Sequence, residues 1–433
     1  MKYAVWLFVL ISTLGYAQQF SVIHYFAGPP ADGSFAEGSL VSDPAGNLYG
    51  TTSSGGSVTS QTCVNTFYNG CGTVYELSPN SDGTWAEQVI YNFCSNDAGG
   101  NCLDGRQPMA GMVLDSAGNL YGTTAQGGNA ICNFGCGIVF ELSPPAAPGS
   151  AWTETTLYTF CSVANGTNCL DGSSPFSQLI FDGAGNLYGT TEQGGSGIYG
   201  GFLGSGGTVF ELSPGAGGWT ETVLYNFCSV GEKGYCQDGW TPTAGMTFDD
   251  AGNLYGTTSM GGTKSDSGGG TVFELSPTAK GWQESVLLRF PINPPYFYGP
   301  EGGVSFDAKG NLYGTVTFQF GGGFRLSPDH IERTFHLPSD GANSPTAGVF
   351  VDRKTSNVYA TASSGAQGGG SVFVVGPRGK ETVLHTFVCT PYPTCPDGAQ
   401  PDGALIQGKS GNLYGTTFTG GNTFFGVVYQ IAR

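Results

Sequence analysis

The residues best placed to do chemistry are three acids, Glu37, Glu301 and Asp402, which fall at one position of a repeating pattern. Other copies of the pattern carry Met109, Phe176, Thr243 and Thr346 there. Carboxylates brought together can hold Ca2+, or divide acid and base roles when the pKa of one rises. The competing reading is a set of solvated acids at a channel mouth. Six further acids, Asp32, Asp104, Asp171, Asp238, Asp340 and Asp397, each precede a glycine at another repeat position, where one copy has Tyr298-Gly299 instead. Asp before Gly is a turn signal, because the carboxylate accepts from nearby backbone N–H groups, so these six are read as turn formers. His24 and His385 occupy equivalent places in the repeat and are read as structural. No histidine metal centre is expected. No nucleophile elbow, phosphate loop or HExxH motif is present.

Twelve cysteines form six local pairs: Cys63/Cys71, Cys94/Cys102, Cys132/Cys136, Cys161/Cys169, Cys228/Cys236 and Cys389/Cys395. Zinc sites favour CxxC spacing and usually add histidine. The pairs lack both, and three of them share one spacing at one repeat position. They are read as disulfides, with no metal assigned.

The elements that must position these residues are set by the phrase NLYGTT. It occurs in seven full or worn copies, beginning at Asn47, Asn119, Asn186, Asn253, Asn311, Asn357 and Asn412. Self-similarity at this scale marks a propeller or a solenoid. The clearest copy predicts four strands: a at 179–182, b at 186–191, c at 208–214 and d at 219–227. Tight turns of Gly, Asn and Asp join a to b and c to d. Strand c is apolar on both faces (Val209, Phe210, Leu212), as a sheet sandwiched between two neighbours requires. The Gly of YGTT is expected to let adjacent sheets approach closely. Four antiparallel strands per unit make a propeller blade. The pattern begins with a lone strand d, VIHYF at 22–26, and ends with a strand c at 427–431. The first strand is therefore expected to complete the last blade. The fold class is all-β, a seven-bladed β-propeller with no open edge, forming one domain over residues 18–433.

Residues 1–17 combine Lys2, a short apolar run and a small-residue exit at Ala17, which reads as a secretory signal peptide. No other stretch is apolar enough to cross a membrane. Export agrees with the disulfides, so the chain is expected to be secreted, periplasmic or on the cell surface. The formal net charge is −17. So acidic a surface repels phosphate backbones and argues against nucleic acid as a partner. Nothing in the repeat calls for an oligomer, and a monomer is expected.

The pattern D-x-A-G-N-L-Y-G-T-T-x-x-G-G, then G-T-V-F-E-L-S-P, then W-x-E-x-x-L-Y-x-F resembles the Gloeo/Verruco (GloVer) tandem-repeat family of exported bacterial proteins. Asp249 to Phe290 is a nearly complete copy, with LLRF in place of LYxF. The resemblance implies the repeat architecture and export, and little chemistry. Relatives often carry a surface anchor; this chain stops at its last strand, which points to release. A looser likeness to kelch repeats rests on Gly127-Gly128, Gly194-Gly195 and Gly261-Gly262 after strand b, and on Trp85, Trp152, Trp219 and Trp282 near the start of strand d.

In a propeller the a–b and c–d turns share one face, and the b–c loops and d–a connections share the other. All six cysteine pairs fall on the second face, where the loops are long. Stiffened loops lose less entropy on binding, which places a ligand patch over blades 7, 1, 2, 3 and 4. The loop aromatics Phe67, Tyr68, Phe134, Tyr199 and Phe202 are candidates to stack on sugars or to contact a protein. The reading is a non-catalytic binding propeller for an extracellular glycan or protein, with no cofactor unless Ca2+ enters at the channel acids. The alternative is an extracellular enzyme acting on carbohydrate or lactone through those carboxylates.

Overall fold

The computed structural model describes residues 19–57, 61–64, 69–147, 150–197, 206–231, 235–263, 268–291, 299–317, 321–336, 344–365, 367–390 and 395–433. Seven four-stranded antiparallel sheets form the blades of a β-propeller. In blade 3, strand a is Ile180–Phe181, b is Leu187–Thr191, c is Thr208–Gly215 and d is Gly218–Asn226. Strand a pairs over two residues rather than the four expected. The blades converge at the axis, and the residues before Ile180 leave their own sheet to meet a neighbour: Gln178 Nε2 donates to the Met112 carbonyl of blade 2, 2.9 Å away.

Blade 7 is built from both ends of the chain. Strands a (Ile406–Gln407), b (Leu413–Thr417) and c (Val427–Ile431) are joined by strand d, Phe20–Tyr25. Phe20 lies opposite Ile431, Val22 opposite Tyr429 and Tyr25 opposite Val427, with a bulge between Val22 and His24. The ring is closed, as the order of strands in the sequence requires. The same bulge recurs in strand d of blades 1, 2, 3, 4 and 6, and blade 5 lacks it.

Each letter of the repeated phrase has a local cause. In D-x-A-G-N-L-Y, Asp182 Oδ1 accepts from the Ala184 and Asn186 backbone N–H groups, both at 2.9 Å. Its Oδ2 accepts from Asn186 Nδ2 at 2.8 Å and from the Tyr188 hydroxyl at 3.1 Å. The turn and strand b are thereby locked together. The glycine of YGTT acts inside its own blade, not between blades as the sequence suggested. A Cβ on Gly189 would lie 2.6 Å from Phe210 Cζ, because the ring of strand c crosses strand b at that residue. The close approach between blades is made at the hub, where a Cβ on Gly111 would lie 2.4 Å from the Ser39 carbonyl oxygen.

The first threonine of YGTT joins blades. Its hydroxyl donates to a hub carbonyl of the next blade in six places: Thr51 to Ala110 (2.8 Å), Thr123 to Ser177 (3.2 Å), Thr190 to Ala244 (3.4 Å), Thr257 to Gly302 (3.2 Å), Thr315 to Ala347 (2.8 Å) and Thr416 to Gly38 (3.3 Å). The last of these crosses from blade 7 to blade 1. In blade 6 the equivalent Thr361 hydroxyl is buried without a hydrogen-bond partner. Thr416→Val is accordingly expected to cost about 1 kcal/mol of stability by chemical denaturation, while Thr361→Val is neutral or mildly stabilising. Equal losses for the two variants would show that the hydroxyls do not act through these contacts.

Tryptophan completes the seams. Trp152, Trp219 and Trp282 at the head of strand d pack on Tyr49, Tyr121 and Tyr188 of the preceding blade, with ring centroids 6.0, 6.2 and 6.4 Å apart. Trp85 packs on Tyr414 at 5.8 Å across the closure. Blades 5, 6 and 7 carry no tryptophan there. Clefts of about 470 Å³ beside Tyr255 and about 610 Å³ beside Tyr313 stand at the first two of these seams, and at the third the Arg433 guanidinium lies 4.9 Å from the Tyr359 ring centroid.

Candidate functional site

The repeat puts one residue per blade where the d–a connection enters strand a. All seven, Glu37, Met109, Phe176, Thr243, Glu301, Thr346 and Asp402, line a single cavity of about 440 Å³ on the axis. Small residues, including Gly38, Ala110, Ala244, Gly302 and Ala347, make the wall behind them. Their carbonyls are the acceptors of the threonine ring, so the hydrogen bonds that join the blades also fix the backbone from which the seven side chains project.

Two of the three acids are held by hydroxyls. Ser53 Oγ donates to Glu37 Oε1 at 2.8 Å, and Thr346 Oγ1 donates to Asp402 Oδ1 at 2.8 Å. Burial pushes the Glu37 carboxyl up to about 7; the Ser53 hydrogen bond opposes the shift and the charge of Asp402 adds to it. Burial raises Asp402 to about 6 against the Thr346 hydrogen bond. Glu301 is raised by burial first and by the Asp402 charge second. The charge of Asp402 thus acts on both Glu37 and Glu301, as like charges gathered in one buried site do. Among the described residues no lysine or arginine lines the cavity. The three acids are not among the described groups whose ligand atoms all lie within 4.8 Å of one another, so they form an open rim rather than a preformed metal cage.

The six cysteine pairs are disulfides, with S–S distances of 1.85 to 2.11 Å. Four sulfurs cluster where Cys63–Cys71 of the blade 1 b–c loop meets Cys94–Cys102 of the following d–a connection, and four more where Cys132–Cys136 meets Cys161–Cys169. Each disulfide of a b–c loop therefore packs on the disulfide of the next connection. Cys228–Cys236 and Cys389–Cys395 pair as the sequence expects, and the second cysteine of each, Cys236 and Cys395, is also held by its backbone. Both are buried, at 6 % and 5 % exposure. The reason lies in their backbone. The Cys236 carbonyl accepts from the N–H groups of Gly239 (3.2 Å) and Gly262 (2.8 Å), and the Cys395 carbonyl from those of Gly398 (3.0 Å) and Gly421 (2.8 Å). The second cysteine of the connection thus anchors the Gly-Gly that follows strand b, and this draws it inward. The carbonyls of Cys236 and Cys395 thus tie each connection to the b–c loop of the blade that follows.

Of the loop aromatics, Phe134 is exposed, at 64 % of its full area, and the Arg106 guanidinium stacks 4.6 Å from its ring centroid. Phe67, Tyr68, Tyr199 and Phe202 lie outside the described residues.

The aspartates before glycine organise the d–a connections. Asp104 Oδ2 accepts from the Tyr91 hydroxyl and the Ser95 N–H, both at 2.8 Å. Asp171 and Asp238 repeat this with Tyr158 (2.7 Å) and Tyr225 (2.9 Å). His385 takes the place of that tyrosine in blade 6 and meets Asp397 at 2.8 Å. Asp340 lies outside the described residues. Sequence reasoning missed the glutamate of W-x-E in strand d. Glu154, Glu221 and Glu284 sit near Asp104, Asp171 and Asp238 of the preceding connection, and burial pushes them up to about 7, 8 and 7. The repeat of that glutamate was the available signal.

Among known proteins, the model of the Gloeobacter/Verrucomicrobia repeat matches residues 10–195 and 58–323. No curated protein matches the chain. Solved structures similar to it include a candidate 6-phosphogluconolactonase from Bacteroides uniformis, 16 % identical, covering 79 % of this chain and 84 % of that one at a TM-score of 0.46. A candidate gluconolactonase is 15 % identical, with coverage of 86 % and 95 % and a TM-score of 0.40. A sialidase from Trypanosoma rangeli is 12 % identical, with coverage of 82 % and 57 % and a TM-score of 0.40.

Proposed function

The chain belongs to the Gloeobacter/Verrucomicrobia repeat family, and we propose that it is an exported binding propeller whose recognition site is the acid-lined pocket on its axis. The observation that carries this reading is the convergence of seven repeat-equivalent side chains on one cavity. Its volume of about 440 Å³ falls in the range of small-ligand sites. Three carboxyls, the hydroxyls of Thr243 and Thr346 and the Gln178 amide offer hydrogen bonds, and the Phe176 ring offers an apolar face. Carboxylates are strong acceptors for sugar hydroxyls, and an acidic lining without described basic residues disfavours anions. The ligand class is therefore a neutral or amino-bearing glycan end. The leader-like residues 1–17 and the six disulfides support an oxidising compartment outside the cytoplasm. Among the described residues no helix is long and apolar enough to cross a membrane.

The test is a glycan array spanning neutral, amino and acidic sugars, followed by calorimetry on the best ligand. Neutral or amino sugars are expected to bind, and Glu37→Gln with Asp402→Asn to weaken them by at least about 10- to 100-fold, the cost of losing even one of the two charged hydrogen bonds. Phe134→Ala should leave affinity unchanged. The opposite pattern, loss with Phe134→Ala and none with the double variant, would move the site to the loops. The pairing of Glu37 near 7 with Asp402 near 6 also suits an acid and a base. Lactone or glycoside turnover that disappears in the double variant would reassign the pocket to catalysis.

A further inference from the structure

At the seam where blade 7 meets blade 1, the Tyr–Asp–Glu arrangement of the other blades changes its chemistry. Strand d of blade 7 supplies His24 at the tyrosine position, the 7–1 connection supplies Asp32, and strand d of blade 1 supplies Glu87. One ligand atom from each lies within 4.8 Å of the other two. His24 Nε2 is 3.3 Å from Asp32 Oδ2 but is not aligned to hydrogen-bond with it. Neither His24 Nε2 nor Glu87 Oε1 has a hydrogen-bond partner, although both atoms are shut off from solvent. Glu221 Oε1 and Glu284 Oε1 are unpaired at the same repeat position, so what sets this seam apart is the histidine nitrogen: buried polar atoms are almost always paired, and here an unpaired imidazole nitrogen faces two carboxyls within ligand distance.

The next seam is an internal control. His385 occupies the same repeat position but makes an ordinary 2.8 Å contact with Asp397. There the glutamate position is filled by Phe20, whose ring lies flat on His385 with centroids 3.5 Å apart. The histidine is plainly structural where the glutamate is absent, and part of a three-donor cluster where it is present.

We propose that His24, Asp32 and Glu87 form a site for one divalent transition-metal ion of the Zn2+ type. One nitrogen and two oxygen donors suit such an ion, and bonds of about 2.0–2.2 Å in tetrahedral geometry need donors roughly 3.3 Å apart. The His24–Asp32 distance already meets that requirement, and Glu87 reaches it by side-chain rotation. Two carboxylates neutralise the ion. Asp32 is pre-oriented by the backbone N–H groups of Ala27 and Gly33, each 2.6 Å away, as outer partners orient metal ligands elsewhere. The site would pin the N-terminal strand to blade 1, so metal and ring closure stabilise each other. His24 is then more than the structural residue that the sequence suggested.

The test is calorimetric titration of the chelator-stripped full chain with Zn2+, alongside thermal melts. One equivalent is expected to bind saturably and to raise the melting temperature. Glu87→Gln and His24→Tyr are each expected to weaken Zn2+ affinity by about 100-fold or more. The second places at this position the residue that blades 1, 2 and 3 carry, so the fold is retained. His385→Phe should leave Zn2+ affinity at the wild-type value. Absence of saturable binding, or equal binding by wild type and the first two variants, overturns the site.

Discussion

A chain lacking residues 19–26 is expected to lose its single cooperative melting transition, or to melt at least about 20 °C lower. The segment is the outer strand of blade 7, and three independent layers of contact depend on it. Its backbone pairs with Val427–Ile431. Without it that strand becomes an open edge of the kind that aggregates. Phe26 is fully buried and meets the Tyr75 ring edge-on at 5.1 Å, and Phe20 covers His385 and Tyr429. Burial of Phe26 alone is worth about 3–5 kcal/mol by the cost of truncating a core phenylalanine to alanine. Net stabilities are only about 5–15 kcal/mol, so loss of the whole strand exceeds what the ring can spare. The point variant Phe26→Ala separates the two scales: its transition should stay cooperative while stability drops by the smaller amount. Calorimetry of both proteins checks this. A truncated chain that melts like the full one would mean that the seam from Trp85 to Tyr414 holds the ring without its last strand.

How much of this was legible in the sequence depends on how local the cause was. The turn built by Asp182, Asn186 and Tyr188 lies within seven residues, and the phrase that encodes it announces the strand at once. The seven hub residues were equally legible, because aligning the repeats aligns their positions in a ring, and one cavity follows from symmetry. Contacts between blades were less so. The role of Thr51 depends on the Ala110 carbonyl of another blade, and nothing about a threonine in YGTT says which way its hydroxyl points. The glycine was misassigned for the same reason: whether Phe210 or a neighbouring backbone fills the space above Gly189 is a matter of packing across strands. The cysteines divide in the same way. Spacing announces the bond from Cys228 to Cys236, but the burial of Cys236 follows from a carbonyl that reaches Gly262 of the next blade's loop. His24 and His385 look interchangeable in the repeat. They differ only because the facing positions hold Glu87 and Phe20, which belong to different strands.

Raising the pH from 5 to 9 is expected to lower the melting temperature by about 5 °C or more, measured with chelator present so that no metal contributes. Burial holds Glu37, Glu154, Glu221, Glu284 and Asp402 near 7, 7, 8, 7 and 6 in the folded chain, whereas unfolded carboxyls titrate near 4. A raised folded pKa means that the native state holds protons which the unfolded chain has already released. The stabilisation is complete below the unfolded value and is lost as pH rises through about 6 to 8. Partial exposure of the three outer glutamates limits each to roughly 1 kcal/mol after solvent screening. Taking the same figure as a floor for the more deeply buried Glu37 and Asp402, the five amount to at least about 5 kcal/mol, and near 1 kcal/mol per degree for a domain of this size that is about 5 °C or more. The turn aspartates do not cancel this. Burial alone would raise Asp182, Asp249 and Asp307, but their hydrogen bonds from Asn186, Asn253 and Asn311 hold them below the ordinary carboxylate range. Their contribution is present above the unfolded value and fails only as pH falls below about 4. The two sets therefore bracket a stability maximum between about pH 4 and 6. Glu221→Gln, which cannot ionise, should flatten the alkaline slope by its own share and leave the acid limb unchanged. A melting temperature that is flat or rises between pH 5 and 9 would mean that these carboxyls are already ionised in the native ring, and the acid pairs between blades would then need a counter-charge.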